Sequence, residues 1–585
     1  MDYICGYDKL LNKKGRMGTK LWISASEGKE NVVKELKDKC GLPHAAALYL
    51  AAHGITPDQV DSYFNDSFSE LTDPYRFPGM ELAVKRLWQA IRNRERILIH
   101  GDYDTDGITA TSLLSWVLEK NGAIVSSFLP HRFDDGYGFT PESLAKALDV
   151  IPSECKVLVT VDCGINSGPA VTEAAARGID VIITDHHEPD GEKLSALAVI
   201  NPKLNPELED MRQLSGVGVA FKLAHAFIKF GRENNLGGYG VEIQDALDFV
   251  ALGTVADIVP LLGENRLLVK YGMETLCKQL RPGIRALIES AHIGPKLTPA
   301  DITFKLAPRI NAAGRLGNAQ SALELLNASN IVEAYRFANM LEGFNQKRQA
   351  KEQEIFSEAK HLVESDAAFK SKMTITAAGE GWHQGVIGIV ASRFARDYNR
   401  PAIVLTIQGD EAHGSGRSIE GLNLIDILSK CSHLLTRYGG HPMAVGLGLK
   451  KDQIGAFTEE FEKQVRNHIS PSDIVDSVTY DGEISLDALD NDFFEIYPHL
   501  GPFGHGNPQP TFRLNRLEVI RTFPIKSGHT KGILRDANGE VTDFIAFNMT
   551  IPVRTTWDVI AMPRINEYYG EKKRQLQIID AKASM

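Results

Sequence analysis

Apolar and polar positions in the first half of the chain follow two different periods. Four short apolar runs, three of them rich in β-branched residues, show no alternation with polar positions, which is typical of parallel strands buried on both faces. Helical patterns separate the first three runs, as in βαβ units. We therefore predict a parallel-sheet α/β domain over residues 81–265. The runs interpreted as strands lie at residues 96–100, 157–161, 181–184 and 249–252.

Changes in the same pattern divide the rest of the chain. Residues 1–80 are predicted to be helical and carry no visible chemistry. Residues 266–370 are again helical. The stretch over about 331–365 contains no proline, is predicted to form one long helix or two in tandem, and could bridge two domains. A second α/β domain is predicted over residues 371–468. Residues 469–585 hold short strands separated by turn residues, the pattern of a small β-barrel.

Length and composition agree with a multidomain globular protein. A chain of 585 residues, 43% of them hydrophobic, is too long for one core. It has no stretch of about 18 uncharged apolar residues, and its N-terminus lacks a basic segment followed by an apolar one. We therefore expect a cytoplasmic protein without a membrane span. Six cysteines with no Cys-x-x-Cys pair argue against a zinc knuckle or a disulfide framework.

Net charge does not point to a nucleic-acid partner. The chain carries a net charge of −11, whereas nucleic-acid-binding domains are usually basic. Residues 514–585 differ from the average, because they hold 11 Lys and Arg against 8 Asp and Glu. This excess permits contact with phosphates in the last domain, and a solvated surface is the alternative explanation.

Acidic and histidine side chains follow all four apolar runs. Ligands bind beyond the carboxyl ends of strands in an open α/β sheet, so these side chains are expected to meet. A lone aspartate there is most often a helix cap, and adjacent histidines are often a solvated turn. However, so many carboxylates at one edge are unfavourable without a cation. The side chains are His100, Asp102, Asp104, Asp106, Asp162, residues 185–187 and Asp257.

Carboxylate oxygens mixed with imidazole suit a pair of Mn²⁺ or Mg²⁺ ions. Two such ions can clamp the attacking and the leaving oxygen of a phosphoryl transfer. The sequence therefore predicts a two-metal site that hydrolyses a phosphate ester or anhydride.

Several short motifs give the chain a family resemblance. The sequence is similar to the DHH phosphoesterase superfamily, whose name-giving triplet stands at 185–187, and it resembles the branch of single-strand-specific 5′→3′ DNA exonucleases. The resemblance implies two α/β domains, a DHH domain and a DHH-associated domain, joined by a long helix and followed by an OB-fold barrel. The other motifs lie at residues 100–107, 308–317, 414–418 and 439–441.

The resemblance also implies roles for the candidate ligands. Two residues would be catalytic: Asp162 would bridge two metal ions, and His187 would contact the phosphate, with a cap or supporting residue as the alternative for His187. One ion would be held by Asp106, Asp162, His186 and Asp257, and the other by Asp104 and Asp162 with His100 as a further candidate. Asp102 is left open between a ligand and a cap or supporting residue.

Substrate contacts are predicted in four motifs. Three arginines can engage phosphate oxygens through two hydrogen bonds each, although surface ion pairs are the alternative. Ser415 and Arg417 would form a pocket for a terminal 5′-phosphate, and His441 would contact the nucleotide being removed. Aromatic residues at 382 and 503 could stack on bases or belong to the core. The predicted substrate-binding residues are Arg132, Asn311, Arg315, Ser415, Arg417, Gly439, Gly440 and His441.

We therefore expect a two-metal 5′→3′ exonuclease that degrades single-stranded DNA to 5′-mononucleotides in DNA repair and recombination. The expected partner is single-stranded DNA bound by a monomer, with no membrane, and a single-strand-binding protein or a helicase is a further candidate. One alternative is a phosphodiesterase for oligonucleotides or cyclic dinucleotides, or an inorganic pyrophosphatase. Another is a metal-free replication scaffold.

Overall fold

The computed structural model describes residues 20–65, 67–132, 138–151, 154–470, 474–525, 528–568 and 571–584. The N-terminal region contains strand β1 (Leu21–Ser24) and helices α1 (Glu30–Cys40), α2 (His44–Ala52) and α3 (Val60–Phe64). The sequence predicted only helices here, because a four-residue strand shows no pattern of its own. β1 pairs in parallel with residues 477–480 near the C-terminus. The helices share one apolar core with the C-terminal barrel.

The predicted parallel sheet is present in the first α/β domain. Its strands are β2 (Arg96–Gly101), β3 (Ile124–Phe128), β4 (Cys155–Val161), β5 (Asp180–Thr184) and β6 (Ala198–Ile200). Their spatial order is β3-β2-β4-β5-β6, and every pair is parallel. The first three predicted runs are β2, β4 and β5.

The fourth run does not form a strand, so this prediction was wrong. Residues 249–252 lie inside a helix, Leu247–Ala256. All but the last of its residues are buried, and a continuous apolar run fits a buried helix as well as a buried strand.

Helices cover both faces of the sheet and form the segment that follows it. Helix Ala307–Leu316 continues a π-helical stretch at Ile302–Leu306, and a single helix of 35 residues, Ile331–Ser365, joins the two α/β domains, as the sequence predicted. No helix in the described part of the chain is long and apolar enough to cross a membrane. In chain order the helices are α4 (Met80–Asn93), α5 (Thr105–Lys120), α6 (Pro141–Val150), α7 (Gly168–Ala176), α8 (Gly216–Glu233), α9 (Leu247–Ala256), α10 (Gly263–Lys278), α11 (Pro282–Ser290), α12 (Ala307–Leu316), α13 (Gln320–Leu326) and α14 (Ile331–Ser365).

The second α/β domain has a mixed sheet. Its strand order is β10-β11-β9-β8-β7, in which only β7 and β8 pair in parallel. Three helices pack on this sheet: α15 (Gln384–Tyr398), α16 (Leu424–Lys430) and α17 (Ile454–His468). The strands are β7 (Ile375–Glu380), β8 (Ala402–Gln408), β9 (Glu411–Arg417), β10 (Arg437–His441) and β11 (Ala444–Lys450).

The C-terminal strands form the predicted barrel. Five strands run in the order β14-β15-β16-β18-β17, and pairing between β14 and β17 closes them. Helix α18 (Asn491–Leu500) precedes the barrel. The α/β class, the connecting helix and the terminal barrel are thereby confirmed. The strands are β12 (Ser477–Tyr480), β13 (Gly482–Glu483), β14 (Phe512–Ile525), β15 (His529–Arg535), β16 (Val541–Ala546), β17 (Thr556–Tyr568) and β18 (Glu571–Ala583).

Candidate metal centre

Most of the predicted ligands lie at the carboxyl ends of the central strands, whereas Asp257 follows helix α9. β3 lies on one side of β2 and β4 on the other, so the chain reverses its direction of winding between β2 and β4, where open α/β sheets bind ligands. Residues 102–106 follow β2, and Asp162 follows β4 with φ at 59°. That left-handed backbone is uncommon for a residue other than glycine and is typical of functional sites.

Three overlapping groups of side chains could each hold a cation. Within each group the ligand atoms lie within 4.8 Å of one another. His186 Nε2 is 3.2 Å from Asp162 Oδ1, 3.6 Å from Asp257 Oδ2 and 3.9 Å from Asp106 Oδ2. Asp162 and His186 each belong to two of these groups, and the bridging role of Asp162 stays a prediction. The groups are Asp162 with His186 and His187, Asp106 with His186 and Asp257, and Asp102 with Asp104 and Asp162.

These distances and donors fit Mn²⁺ or Mg²⁺. Ligands about 2.1 Å from an octahedral ion are about 3 Å apart when adjacent and about 4 Å apart when opposite, and the three contacts of His186 fall in this range. Within the described residues, Asp102 Oδ1 is buried without a hydrogen-bond partner. An unpartnered buried carboxylate oxygen is unfavourable, and a bound cation would satisfy it. Asp102, whose role the sequence left open, thus contributes to one group.

Burial and the neighbouring negative charges favour the protonated, neutral form of four of these aspartates. Burial, followed by the charge of Asp104, raises the pKa of Asp102 to about 8 and that of Asp106 to about 7. Burial and the charge of Asp106 raise the pKa values of Asp162 and Asp257 well above their ordinary range. A divalent cation would reverse these shifts, because it favours the ionised carboxylates.

The two adjacent histidines have opposite properties. Burial and the neighbouring His187 lower the pKa of His186 to about 3, so its imidazole is neutral, as a metal ligand must be. Burial opposes protonation of His187 too, but its 2.7 Å contact with Asp185 Oδ1 and the charge of that carboxylate raise its pKa. Asp185 also accepts backbone hydrogen bonds from Ile165, His186 and His187. The first residue of the triplet therefore orients the other two.

Helix N-termini position the carboxylates. Asp104 caps α5 by accepting hydrogen bonds from the backbone N–H groups of Asp106 and Gly107. Asp106 in turn accepts from the N–H groups of Gly216 at 2.6 Å and Val217 at 2.9 Å, at the start of α8. Backbone donors at a helix N-terminus stabilise a negative side chain, so α5 and α8 hold these ligands in place.

Sequence reasoning missed the contribution of Gly216. A Cβ added there would lie 2.3 Å from Asp162 Oδ1, so only glycine allows α8 to approach this carboxylate. Ser215 caps the helix by accepting from the Gly218 N–H. A serine cap followed by two glycines in an otherwise apolar helix is the signal that could have indicated a close approach.

His100 is not part of any of the three groups found among the described residues. Its Nε2 lies 3.0 Å from Ser143 Oγ, and its Nδ1 lies 3.9 Å from Cys163 Sγ. The ring is fully buried and packs against Phe139. Its role as a metal ligand therefore stays a prediction that these contacts do not support.

The three predicted arginines come together beside the metal centre. Burial and the charges of Arg132 and Arg417 lower the pKa of Arg315 to about 10, and burial and Arg132 lower the pKa of Arg417. The Arg132 guanidinium lies 5.2 Å from the centre of the Tyr103 ring. Tyr103 stands between the candidate ligands Asp102 and Asp104 in the chain. Arg417 Nη1 donates to Ser415 Oγ at 3.0 Å. Guanidinium groups that lower one another's pKa would be stabilised by an anion such as phosphate, so the predicted phosphate contacts stay a prediction that this arrangement suits.

The remaining predicted residues of the second α/β domain share the end of its sheet with Arg417. In the register of β9, β11 and β10, Ser415 lies opposite Gly446, which lies opposite Gly439. Arg417 lies opposite Ala444, which lies opposite His441. Directly opposed residues point to the same face of a sheet. The face that carries Ser415 and Arg417 therefore continues onto the exposed strand β10, which contains Gly439, Gly440 and His441.

Two other predicted contacts have structural partners. Asn311 Oδ1 accepts from the N–H of Thr105 at 2.8 Å and from its hydroxyl at 2.9 Å, so it anchors the start of α5, and its substrate role stays a prediction. Trp382 is buried and donates to Glu358, so it belongs to the core and not to a base-stacking surface. Phe503 is partly buried, with its ring 5.4 Å from that of Tyr497.

Family models match three parts of the chain. The N-terminal domain of the DHH family matches residues 96–254, the DHHA1 domain matches residues 370–467, and the RecJ OB domain matches residues 480–580. These matches confirm the resemblance that the motifs indicated.

Whole-chain relatives narrow the family. The chain is 33% identical to the single-stranded-DNA-specific exonuclease RecJ of Bacillus subtilis, over 95% of this chain and 70% of that protein. It is 37% identical to the RecJ of Dickeya dadantii, over 88% of this chain and 92% of that protein. The chain is also similar to the crystal structure of Thermus thermophilus RecJ in complex with Mn²⁺, with a TM-score of 0.81 and 28% identity. This match spans 97% of this chain and 80% of the Thermus chain. From its motifs, its three matched domains and these relatives, the chain belongs to the RecJ family of DHH proteins.

Proposed function

We propose that this protein is a metal-dependent exonuclease that hydrolyses single-stranded DNA from the 5′ end and releases 5′-mononucleotides. Its relatives are named as single-stranded-DNA-specific exonucleases. The observation that carries the proposal is the juxtaposition of the carboxylate and imidazole groups with the arginine cluster, which meet at Tyr103. A site for an anion beside a site for cations suits cleavage next to a terminal phosphate.

The arginine cluster would impose the direction of cleavage. A terminal phosphate carries more negative charge than an internal diester, so Arg132, Arg315 and Arg417 would bind a 5′ end in preference to internal positions. Ser415, held by Arg417, offers a hydroxyl donor to the same phosphate. His441 and the two preceding glycines would border the first nucleotide, since β10 continues this face of the sheet.

The candidate ligands would hold two Mn²⁺ or Mg²⁺ ions. The Thermus relative has been crystallised with each of these ions. Such ions supply electrophilic stabilisation of phosphate charge and lower the pKa of water. We assign one ion to Asp106, Asp162, His186 and Asp257. The other is assigned to Asp102, Asp104 and Asp162, following the groups that the side chains form.

The residues around the ions would orient the phosphate. His187, whose pKa is raised beside Asp185, would donate a hydrogen bond to a phosphate oxygen. Neutral His186 would keep its lone pair for a cation. Bound cations would favour the charged form of the aspartates, so the side chains would then have the protonation states that the proposed reaction needs.

Binding of a polymer is supported by the third domain. A RecJ OB domain follows the two α/β domains, and OB folds bind single strands through backbone charge and stacking. This favours DNA over the dinucleotide and pyrophosphate alternatives. The intact set of candidate ligands argues against a metal-free scaffold. We further infer a cytoplasmic role in DNA repair and recombination, with a single-strand-binding protein or a helicase as a candidate partner.

Digestion of a 5′-phosphorylated single strand, labelled separately at each end, tests the proposal. With Mn²⁺, we expect early release of mononucleotides from the 5′ label only, and no digestion of duplex or in EDTA. Asp162→Ala should abolish activity, whereas Asp426→Ala, which removes an exposed carboxylate of α16, should not. Survival of long strands with cleavage of dinucleotides would favour the short-substrate phosphodiesterase, and inactivity on both would favour the scaffold.

A further inference from the structure

Ile258 directly follows the candidate ligand Asp257 and has an unusual backbone. Its φ is 60°, in the left-handed region, which a β-branched residue strongly disfavours. Its side chain is also 57% exposed, although isoleucine is among the most frequently buried residues. Core packing therefore does not explain why an isoleucine occupies this position beside a buried polar centre.

Contacts from two domains fix the turn that contains this isoleucine. The Leu261 N–H donates to the backbone carbonyl of His505, between α18 and β14, at 2.8 Å. The side-chain amide of Asn265 donates to the Pro260 carbonyl at 3.1 Å. Gly506 packs so closely that an added Cβ would lie 2.9 Å from Pro260 Cβ. A strained residue that its surroundings hold in place is typical of a functional position.

A series of contacts links the arginine cluster, through the metal centre, to this turn. Arg132 lies over the ring of Tyr103, next to the ligands that follow β2. His186 links Asp162, at 3.2 Å, to Asp257, at 3.6 Å. Ile258 follows Asp257 in the chain, and the segment between α18 and β14 contacts its turn through His505. A strand with its terminal phosphate on the arginines and its scissile phosphate at the ligands would continue past this isoleucine.

We infer that Ile258 contacts the base of the nucleotide that carries the scissile phosphate, the second from the 5′ end, and positions that phosphate for cleavage. The inference rests on the proposed exonuclease function. An exposed apolar side chain can cover the face of any base, so the contact would be independent of sequence. The strain would keep the side chain pointing outward, because the turn prevents it from relaxing into the core.

Substitution by asparagine separates contact from strain. Asparagine tolerates left-handed backbone but lacks the apolar surface, so Ile258→Asn should raise Tm and lower kcat/KM on single-stranded DNA about tenfold, within the usual range for one base contact. Ile258→Val should retain the rate. Mn²⁺ binding, measured by its stabilisation against heat, should be unchanged. Arg94→Asn is the matched control, since Arg94 is exposed with φ at 56°, and it should raise Tm without altering the rate.

Substrates that lack one base identify the nucleotide contacted. An abasic residue at the second position should slow the wild type about tenfold, and Ile258→Asn should cause no further loss on that substrate. With the abasic residue at the sixth position, the variant should still lose about tenfold. The inference would be overturned if Ile258→Asn lost the same factor relative to the wild type on both abasic substrates, or if its rates equalled those of the wild type. Failure of the wild type to digest single strands would instead refute the exonuclease proposal.

Discussion

Replacing Gly216 by alanine tests how closely the metal centre is packed. Gly216 begins α8, and an added Cβ would lie 2.3 Å from Asp162 Oδ1 and 2.5 Å from its Cβ and Cγ. Ordinary contacts of a Cβ begin at 3.4 Å, so the aspartate or the helix must move by about 1 Å. The Gly216 N–H also donates to Asp106 at 2.6 Å. Movement of the helix would therefore displace a second candidate ligand.

A displacement of about 1 Å at a reacting centre lowers the rate on the order of a hundredfold. We therefore expect Gly216→Ala to lose about two orders of magnitude in kcat at saturating Mn²⁺, without the loss of any ligand. Gly218→Ala is the matched control in the same helix. Its Cβ would lie 3.2 Å from the flexible end of Leu214 and 3.4 Å from Leu214 Cβ, so small adjustments accommodate it.

Thermal unfolding with and without Mn²⁺, combined with exonuclease rates, measures the outcome. A ligand at a hundred times its Kd stabilises the folded state by about 2.7 kcal/mol, and we expect the wild type and Gly218→Ala to show this gain. Gly216→Ala should fold but gain less. Wild-type Mn²⁺ binding and activity in Gly216→Ala would refute the packing explanation. Equal losses in both variants would assign the effect to α8 as a whole.

Three further outcomes follow from the site. The pKa values of about 8 for Asp102 and about 7 for Asp106 lie above the unfolded value of about 4. The folded protein therefore loses stability as the pH rises from the unfolded to the folded pKa values. Tm measured in EDTA should fall between about pH 5 and pH 8, and Mn²⁺ should abolish this fall. Arg417→Lys keeps the charge but loses two-pronged binding, so the preference for 5′-phosphate over 5′-hydroxyl ends should drop about tenfold in competition digests. Gly440 has a φ of 134°, and a Cβ added there would lie 2.4 Å from the Ala444 carbonyl oxygen, so Gly440→Ala should lower Tm. A Cβ added at Gly439 would have no atom within 4 Å, so Gly439→Ala should leave Tm unchanged and alter only the affinity for DNA.

Much of the fold followed from local pattern. The strands β2, β4 and β5 and the long helix α14 agree with the predictions, because continuous β-branched runs and a long stretch without proline restrict the backbone locally. The apolar run at 249–252 was misassigned to a strand, since burial on all sides removes the period that distinguishes helix from strand. β1 was missed because its only strand partner in the described sheets, β12, is more than 450 residues away.

The sequence by itself determined which residues could form a metal centre, because carboxylates and histidines at the ends of parallel strands must lie at one edge of the sheet. Only the tertiary structure decided which of them meet: it brings in Asp257 from the end of a helix, and the groups found among the described residues do not include His100. It also brings Arg132, Arg315 and Arg417 together. The physical reason is that strand ends are placed by local backbone geometry, whereas contacts between distant segments depend on how helices and domains pack.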